Sequence, residues 1–174
     1  NIKETSTFMD NLLMYAKSQK KLIKPNQQLA DITSIIDGIM KLYHLSASEK
    51  NISLKYENQI SELVKVDEDM LQIIMRNLIQ NSLKFTPKNG SIDIVSRFEN
   101  NNLVFSLKDS GVGMSTNKMS ELFAHENSGN EHLTSKGLGL KLVQDFVKLQ
   151  NGKIHVKSTP GKGSEFLVEI PSLN

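Results

Sequence analysis

The chain has 174 residues, 38% hydrophobic and 23% charged, with a net charge of +2 and no cysteine. That length and balance fit one ordinary domain with a real core and exclude a disordered chain. They also exclude a disulfide framework, a thiolate metal site and a clustered basic surface for nucleic acid, and no apolar run approaches the roughly 18 residues of a membrane span.

Asn1 opens the chain in place of methionine, so the sequence is read as a piece of a longer polypeptide. Residues 2 to 23 carry Ile2, Phe8, Leu12, Tyr15 and Leu22 among polar residues without Gly or Pro, which predicts one amphipathic helix ended by Pro25. After an extended stretch around Leu29, Asp31 caps a helix whose buried face is Ile32, Ile35, Ile36, Ile39, Met40 and Tyr43. Ile52 to Tyr56 alternates as a strand, and Leu63 to Val66 makes a second, brief one. Asp67 or Asp69 then caps a helix to about Phe85, stopped by Pro87, Asn89 and Gly90. Strands over 91 to 98 and 103 to 109 follow, joined by the polar turn Glu99 to Asn102 and expected to pair antiparallel. Ser110 to Lys136 reads as a long polar loop with one helical turn near Leu122 and Phe123, and its length makes it a candidate lid. A helix over about 138 to 149, stopped by Gly152, and strands over 153 to 158 and 164 to 170 close the chain. Strands and helices without a regular βαβ rhythm predict an α+β fold, a two-layer α/β sandwich.

Chemistry concentrates at three places. Leu103, Phe105 and Leu107 alternate with Val104, Ser106 and Lys108, so the strand's period puts Asp109 on the apolar face, just before Gly111 and Gly113. A buried carboxylate needs a partner, whether a cation, water or a ligand's donor. An ordinary Asp-Ser-Gly turn would use the same residues. On the helix ending at Phe85, Asn77, Asn81 and Lys84 share one face, opposite Leu71, Ile74, Met75, Leu78 and Ile79. Amide oxygens suit Mg²⁺ and the lysine suits phosphate, although a solvated face would also look like this. Lys136-Gly137-Leu138-Gly139-Leu140 opens a helix, where backbone N–H groups and the helix dipole favour an anion. Pro160-Gly161-Lys162-Gly163-Ser164 reads as only a turn, and His44, His125, His132 and His155 lack metal-ligand spacing.

The order of these pieces resembles the N, G1, G2 and G3 boxes of the sensor histidine kinases, of the superfamily shared with gyrase B, the heat-shock chaperone ATPase and mismatch-repair proteins. The match spans about residues 25 to 171, including Phe166-Leu167-Val168-Glu169-Ile170-Pro171. The resemblance implies a Bergerat-type ATP-binding fold, a mixed sheet covered on one face by three helices. It implies ATP and Mg²⁺ as cofactors, Asp109 on the adenine amino group, Asn81 on the metal, and Asn77 and Lys84 in the phosphate region as the catalytic pair. It adds Phe85, Gly111, Gly113, Met114, Lys136, Gly137, Leu138, Gly139 and Leu140 to the cofactor-binding set.

The sequence departs from the family pattern in two places: Ser135 stands where G2 has its first glycine, and Ala124-His125-Glu126 follows Leu122-Phe123 where the lid has a second phenylalanine. The phosphoacceptor histidine belongs to a separate dimerisation domain, and His125-Glu126 lacks the run that follows it. Residues 1 to 24 look like the end of that domain's second helix, with 25 to 174 the catalytic domain. The implied partners are its own dimerisation domain, a response regulator receiver domain and, in the parent, a second copy. The implied location is cytoplasmic, without membrane contact by this piece. A stand-alone ATPase or serine kinase of the superfamily, or a degenerate nucleotide sensor or interaction module, are the rival readings.

Overall fold

The computed structural model describes residues 24 to 124 and 138 to 172. The expected helix at 2 to 23, the proposed boundary at 24, the lid residues 125 to 136 and Gly137 fall wholly or partly outside them. Seven strands and four helices follow in the order β1 (Gln28–Ala30), α1 (Ile32–Glu49), β2 (Ser53–Asn58), β3 (Val64–Val66), α2 (Glu68–Phe85), β4 (Ser91–Glu99), β5 (Asn102–Asp109), α3 (Thr116–Ala124), α4 (Leu138–Leu149), β6 (Lys153–Thr159) and β7 (Gly163–Pro171).

Five strands form one sheet in the order β2-β4-β5-β7-β6, in which β2 and β4 run parallel and every other pair antiparallel. The mixed α+β sandwich expected from the sequence is therefore observed. The inner face packs Ile92, Ile94, Leu103, Phe105, Leu107, Phe166, Val168 and Ile170 against buried residues of α1, α2 and α4. On the outer face charges of opposite sign sit opposite one another, Asp93 facing Lys108, Lys108 facing Glu165 and Lys153 facing Glu169. Such cross-strand pairs favour this register, since a slip of one residue would turn the apolar row outward. The turn between β4 and β5 has Asn100 and Asn101 at φ of 51° and 60°, the left-handed pair that a two-residue hairpin requires and that asparagine tolerates.

Caps set the helix starts. Asp31 Oδ1 accepts the Thr33 N–H at 2.9 Å and Oδ2 accepts the Ser34 hydroxyl at 2.8 Å, and the Ser34 bond holds the Asp31 carboxyl below its usual range. Of the two acids proposed for the next helix, Asp67 is the cap: Oδ1 accepts the Met70 N–H at 2.9 Å, and Oδ2 takes the Asn26 N–H at 2.7 Å. The long polar loop after Asp109 contains a nine-residue helix, α3, and not the single turn the sequence suggested. Ser115 starts it by accepting the Lys118 N–H on its hydroxyl, 3.3 Å away.

Lys50 closes the other end of α2. Its Nζ donates to the Leu83, Thr86 and Lys84 carbonyls at 2.6, 3.1 and 3.4 Å, satisfying carbonyls that a helix end leaves open and placing a positive charge at the negative pole. Lys50→Met should lower unfolding free energy by about 1 to 2 kcal/mol. A urea titration that finds no change would show that water serves these carbonyls equally well.

Candidate functional site

The end of β5, the second half of α2, the start of α4 and the β6–β7 turn converge on one side of the sheet. Asp109, the last residue of β5, is 5% exposed and points inward as its period requires. Its Oδ1 accepts the N–H groups of Gly111 at 2.8 Å and Ser164 at 3.2 Å, and its Oδ2 accepts the Ser82 hydroxyl at 3.2 Å. The partner demanded by a buried acid is thus three neutral donors of the protein. A carboxylate has about four acceptor positions, so one remains.

The loop that follows is held from two sides. Val112 N–H donates to the Phe85 carbonyl at 3.2 Å, while the Val112 carbonyl accepts the Gly161 N–H at 2.8 Å. Met114, half-buried, donates its N–H to the Ser158 hydroxyl at 2.8 Å. At Gly113 and Gly163, both at positive φ, an added Cβ would stand 2.0 Å from the Thr159 carbonyl oxygen and 1.9 Å from that of Asp109. The stretch from Pro160 to Ser164 is accordingly more than a turn: it backs the Asp109 loop, and Ser164 donates to the acid itself.

Along α2 the expected polar face is divided. Asn77 is buried, donating its side-chain amide to the Ile73 carbonyl at 2.8 Å. Its Oδ1 lies where a Cβ on Gly139 would come within 2.8 Å. The reason is that α4 packs across this part of α2, which a helical wheel of α2 alone cannot reveal. Asn81 is half-buried and Lys84 exposed. Phe85 is also exposed, with Lys84 Nζ 5.5 Å from its ring centre. Leu138 and Leu140 bury their side chains in the hydrophobic interior, so only their backbones are available to a ligand. Lys136 and Gly137 lie outside the described residues.

Sequence reasoning missed Ser82, Ser158 and Ser164. Ser82 could have been found, because a hydroxyl on the face of Leu78 and Ile79 needs a buried partner; the other two need the strand register. Among the described residues no group of three or more His, Asp or Glu could hold a metal ion. A lone amide oxygen such as that of Asn81 suits Mg²⁺ that takes its other oxygens from phosphate and water. The residues present fit a nucleotide: a buried carboxylate with one acceptor position that the protein does not fill, held in a loop whose glycines let it pack against the β6–β7 turn, and an exposed lysine one helical turn from an amide.

Residues 66 to 174 match the family model described as histidine kinase-, DNA gyrase B-, and HSP90-like ATPase. The sensor histidine kinase AtsR of Burkholderia thailandensis is 33% identical over 151 residues, 82% of this chain and 24% of AtsR. The chain therefore spans about a quarter of that relative's length. Full-length ShkA in complex with AMPPNP has a similar fold, at a TM-score of 0.83 and 22% identity over 97% of this chain and 36% of that one. So does the histidine kinase ThkA in complex with the response regulator protein TrrA, at 0.73 and 20% over 99% and 48%.

Proposed function

The chain belongs to the histidine kinase-, DNA gyrase B-, and HSP90-like ATPase family, and from that premise we propose that it binds Mg-ATP and donates the γ-phosphoryl group to a histidine of a dimerisation domain. The observation that carries this reading is the remaining acceptor position on buried Asp109, beside glycines whose added Cβ atoms would collide with their neighbours. There the carboxylate accepts the adenine amino group, while Ser82, Gly111 and Ser164 hold it in place. Gly111, Gly113 and Gly139 shape the pocket, with Phe85, Met114, Leu138 and Leu140 around it, and the family resemblance adds Lys136 and Gly137 to the binding set.

Lys84 binds phosphate oxygens as a point charge, and Asn77 and Asn81 orient the phosphate region. Mg²⁺, held by Asn81 together with the phosphates, would supply charge neutralisation there. The P–O bond to the β-phosphate breaks, a P–N bond to the imidazole forms, ADP leaves and the imidazole loses its ring proton. The chain's contribution is positioning and electrostatics. Asn77 stands where hydrolysing relatives carry a glutamate base; an amide cannot take water's proton, which favours transfer to protein over hydrolysis.

Residues 1 to 24 are read as the remnant of the dimerisation helix and 25 to 174 as the catalytic domain, in a two-component system whose parent is a homodimer with its kinase domain in the cytoplasm. No described helix is long and apolar enough to cross a membrane. The ThkA complex with TrrA supports a response regulator as partner.

Alone, the chain should bind Mg-ATP, hydrolyse it slowly and incorporate no γ-phosphate; joined to its upstream dimerisation segment it should form phosphohistidine. Self-labelling of the isolated chain would remove the need for a separate acceptor. Absence of any nucleotide binding would overturn the reading in favour of an interaction module.

A further inference from the structure

We propose that Lys118, on α3, is a second polyphosphate-binding lysine that works with Lys84 across the ring of Phe85; the proposal rests on the nucleotide reading above. The Nζ atoms of Lys84 and Lys118 stand 5.5 and 5.7 Å from the centre of this one ring. Phe85 is 46% exposed, whereas Leu78, Ile79 and Leu83 on the same helix are buried. A cation over an exposed ring gains little, so the ring by itself neutralises neither charge. Among the described residues neither ammonium makes an ion pair, although Arg97 with Glu99 and Lys141 with Asp145 do. Two charges beside one ring, neither with a counter-ion among the described residues, are completed by an anion carrying several charges.

The location agrees. The Phe85 carbonyl accepts the Val112 N–H, and a Cβ on Gly111 would lie 3.0 Å from that same oxygen, so the lysines flank the loop that holds Asp109. The backbone of Lys118 is anchored from its own side: Ser115 accepts its N–H, and Met114 just before is tied to Ser158 of β6. Ammonium groups carry only donors and a full positive charge, and the phosphate chain is the anionic part of a nucleotide, so that is the part they meet.

The test titrates the isotope-labelled chain with inorganic tripolyphosphate and, separately, with adenosine and Mg-ATP, following amide signals. Tripolyphosphate should shift Lys84, Phe85 and Lys118. Lys118→Met should weaken tripolyphosphate and Mg-ATP roughly threefold at low salt, the scale of an exposed ion pair, and flatten the salt dependence. Adenosine shifts at Asp109 and Gly111 should stay as in the wild type, and Lys118→Arg should restore the affinity. Wild-type affinity and salt dependence in Lys118→Met would overturn the proposal. So would an equal loss of adenosine binding, which would reduce Lys118 to a prop for Phe85. If adenosine and Mg-ATP left Asp109 and Gly111 unmoved while tripolyphosphate still shifted Lys84 and Lys118, the anion site would stand and the nucleotide reading would fail.

Discussion

Asp109→Asn should abolish measurable binding of Mg-ATP while leaving the fold in place. An asparagine can keep its oxygen where Oδ1 accepts the Gly111 and Ser164 N–H groups, and turn its amide nitrogen to Ser82, whose hydroxyl can accept as well as donate. The internal bonds survive that exchange. The outward-facing position changes from acceptor to donor, and an adenine amino group, itself a donor, then meets a donor. Losing a bond to a charged acceptor costs roughly 1.5 to 3 kcal/mol, and the buried mismatch adds to it, so affinity should fall on the order of a hundredfold or more. Calorimetry on the variant, alongside its thermal unfolding curve, separates the two effects. Unchanged affinity would sink the adenine assignment, and joint loss of binding and folding would make the acid structural.

The largest stability effect is expected at Gly163. It sits at φ of +87°, and a Cβ there would lie 1.9 Å from the Asp109 carbonyl oxygen and 2.9 Å from its carbon. Those are backbone atoms at the end of a paired strand, so no side chain can swing away; β5 and β7 must separate at the end of their pairing. Gly163→Ala should cost about 3 kcal/mol or more, combining left-handed strain with the clash. Gly161 offers the control. Its φ is +76°, but nothing lies within 4 Å of its would-be Cβ, so Gly161→Ala carries only the conformational penalty of about 1 kcal/mol. Urea unfolding of the pair measures the difference, and equal losses would show that the close approach to Asp109 yields without cost.

Most of the fold was legible because periodicity and punctuation agreed. The alternation ending at Asp109, the caps at Asp31 and Asp67 and the stop after Phe85 all lie where the sequence puts them. What escaped depends on neighbours distant in sequence. Asn77 reads as solvated from α2 alone and is buried because α4 crosses it. The hairpin at Gly161 and Gly163 reads as a turn until β7 is laid beside β5, when Ser164 comes opposite Asp109. Helix α3 was hidden by polar composition: Thr116, Asn117, Lys118, Ser120 and Glu121 leave too few apolar positions to show a period. Ser82 escaped for another reason, being a small polar residue in an apolar row whose partner is 27 positions away.

The two asparagines that close the β4–β5 hairpin act as a counter. With Asn100 and Asn101 as the whole turn, Glu99 meets Asn102, and each step along the ladder carries that parity to its far end, where Ile92 meets Asp109. The turn and the acid are roughly 25 Å apart along the strand, yet the choice of which side of the sheet the carboxylate faces is made at the turn. Lengthening that tip by one residue, without a bulge to absorb it, would set either strand one step out of phase and aim Asp109 away from Ser82. An odd insertion at this distant surface tip is therefore tolerated only where the loop itself takes up the extra residue, so a position that never touches a ligand still constrains the binding chemistry.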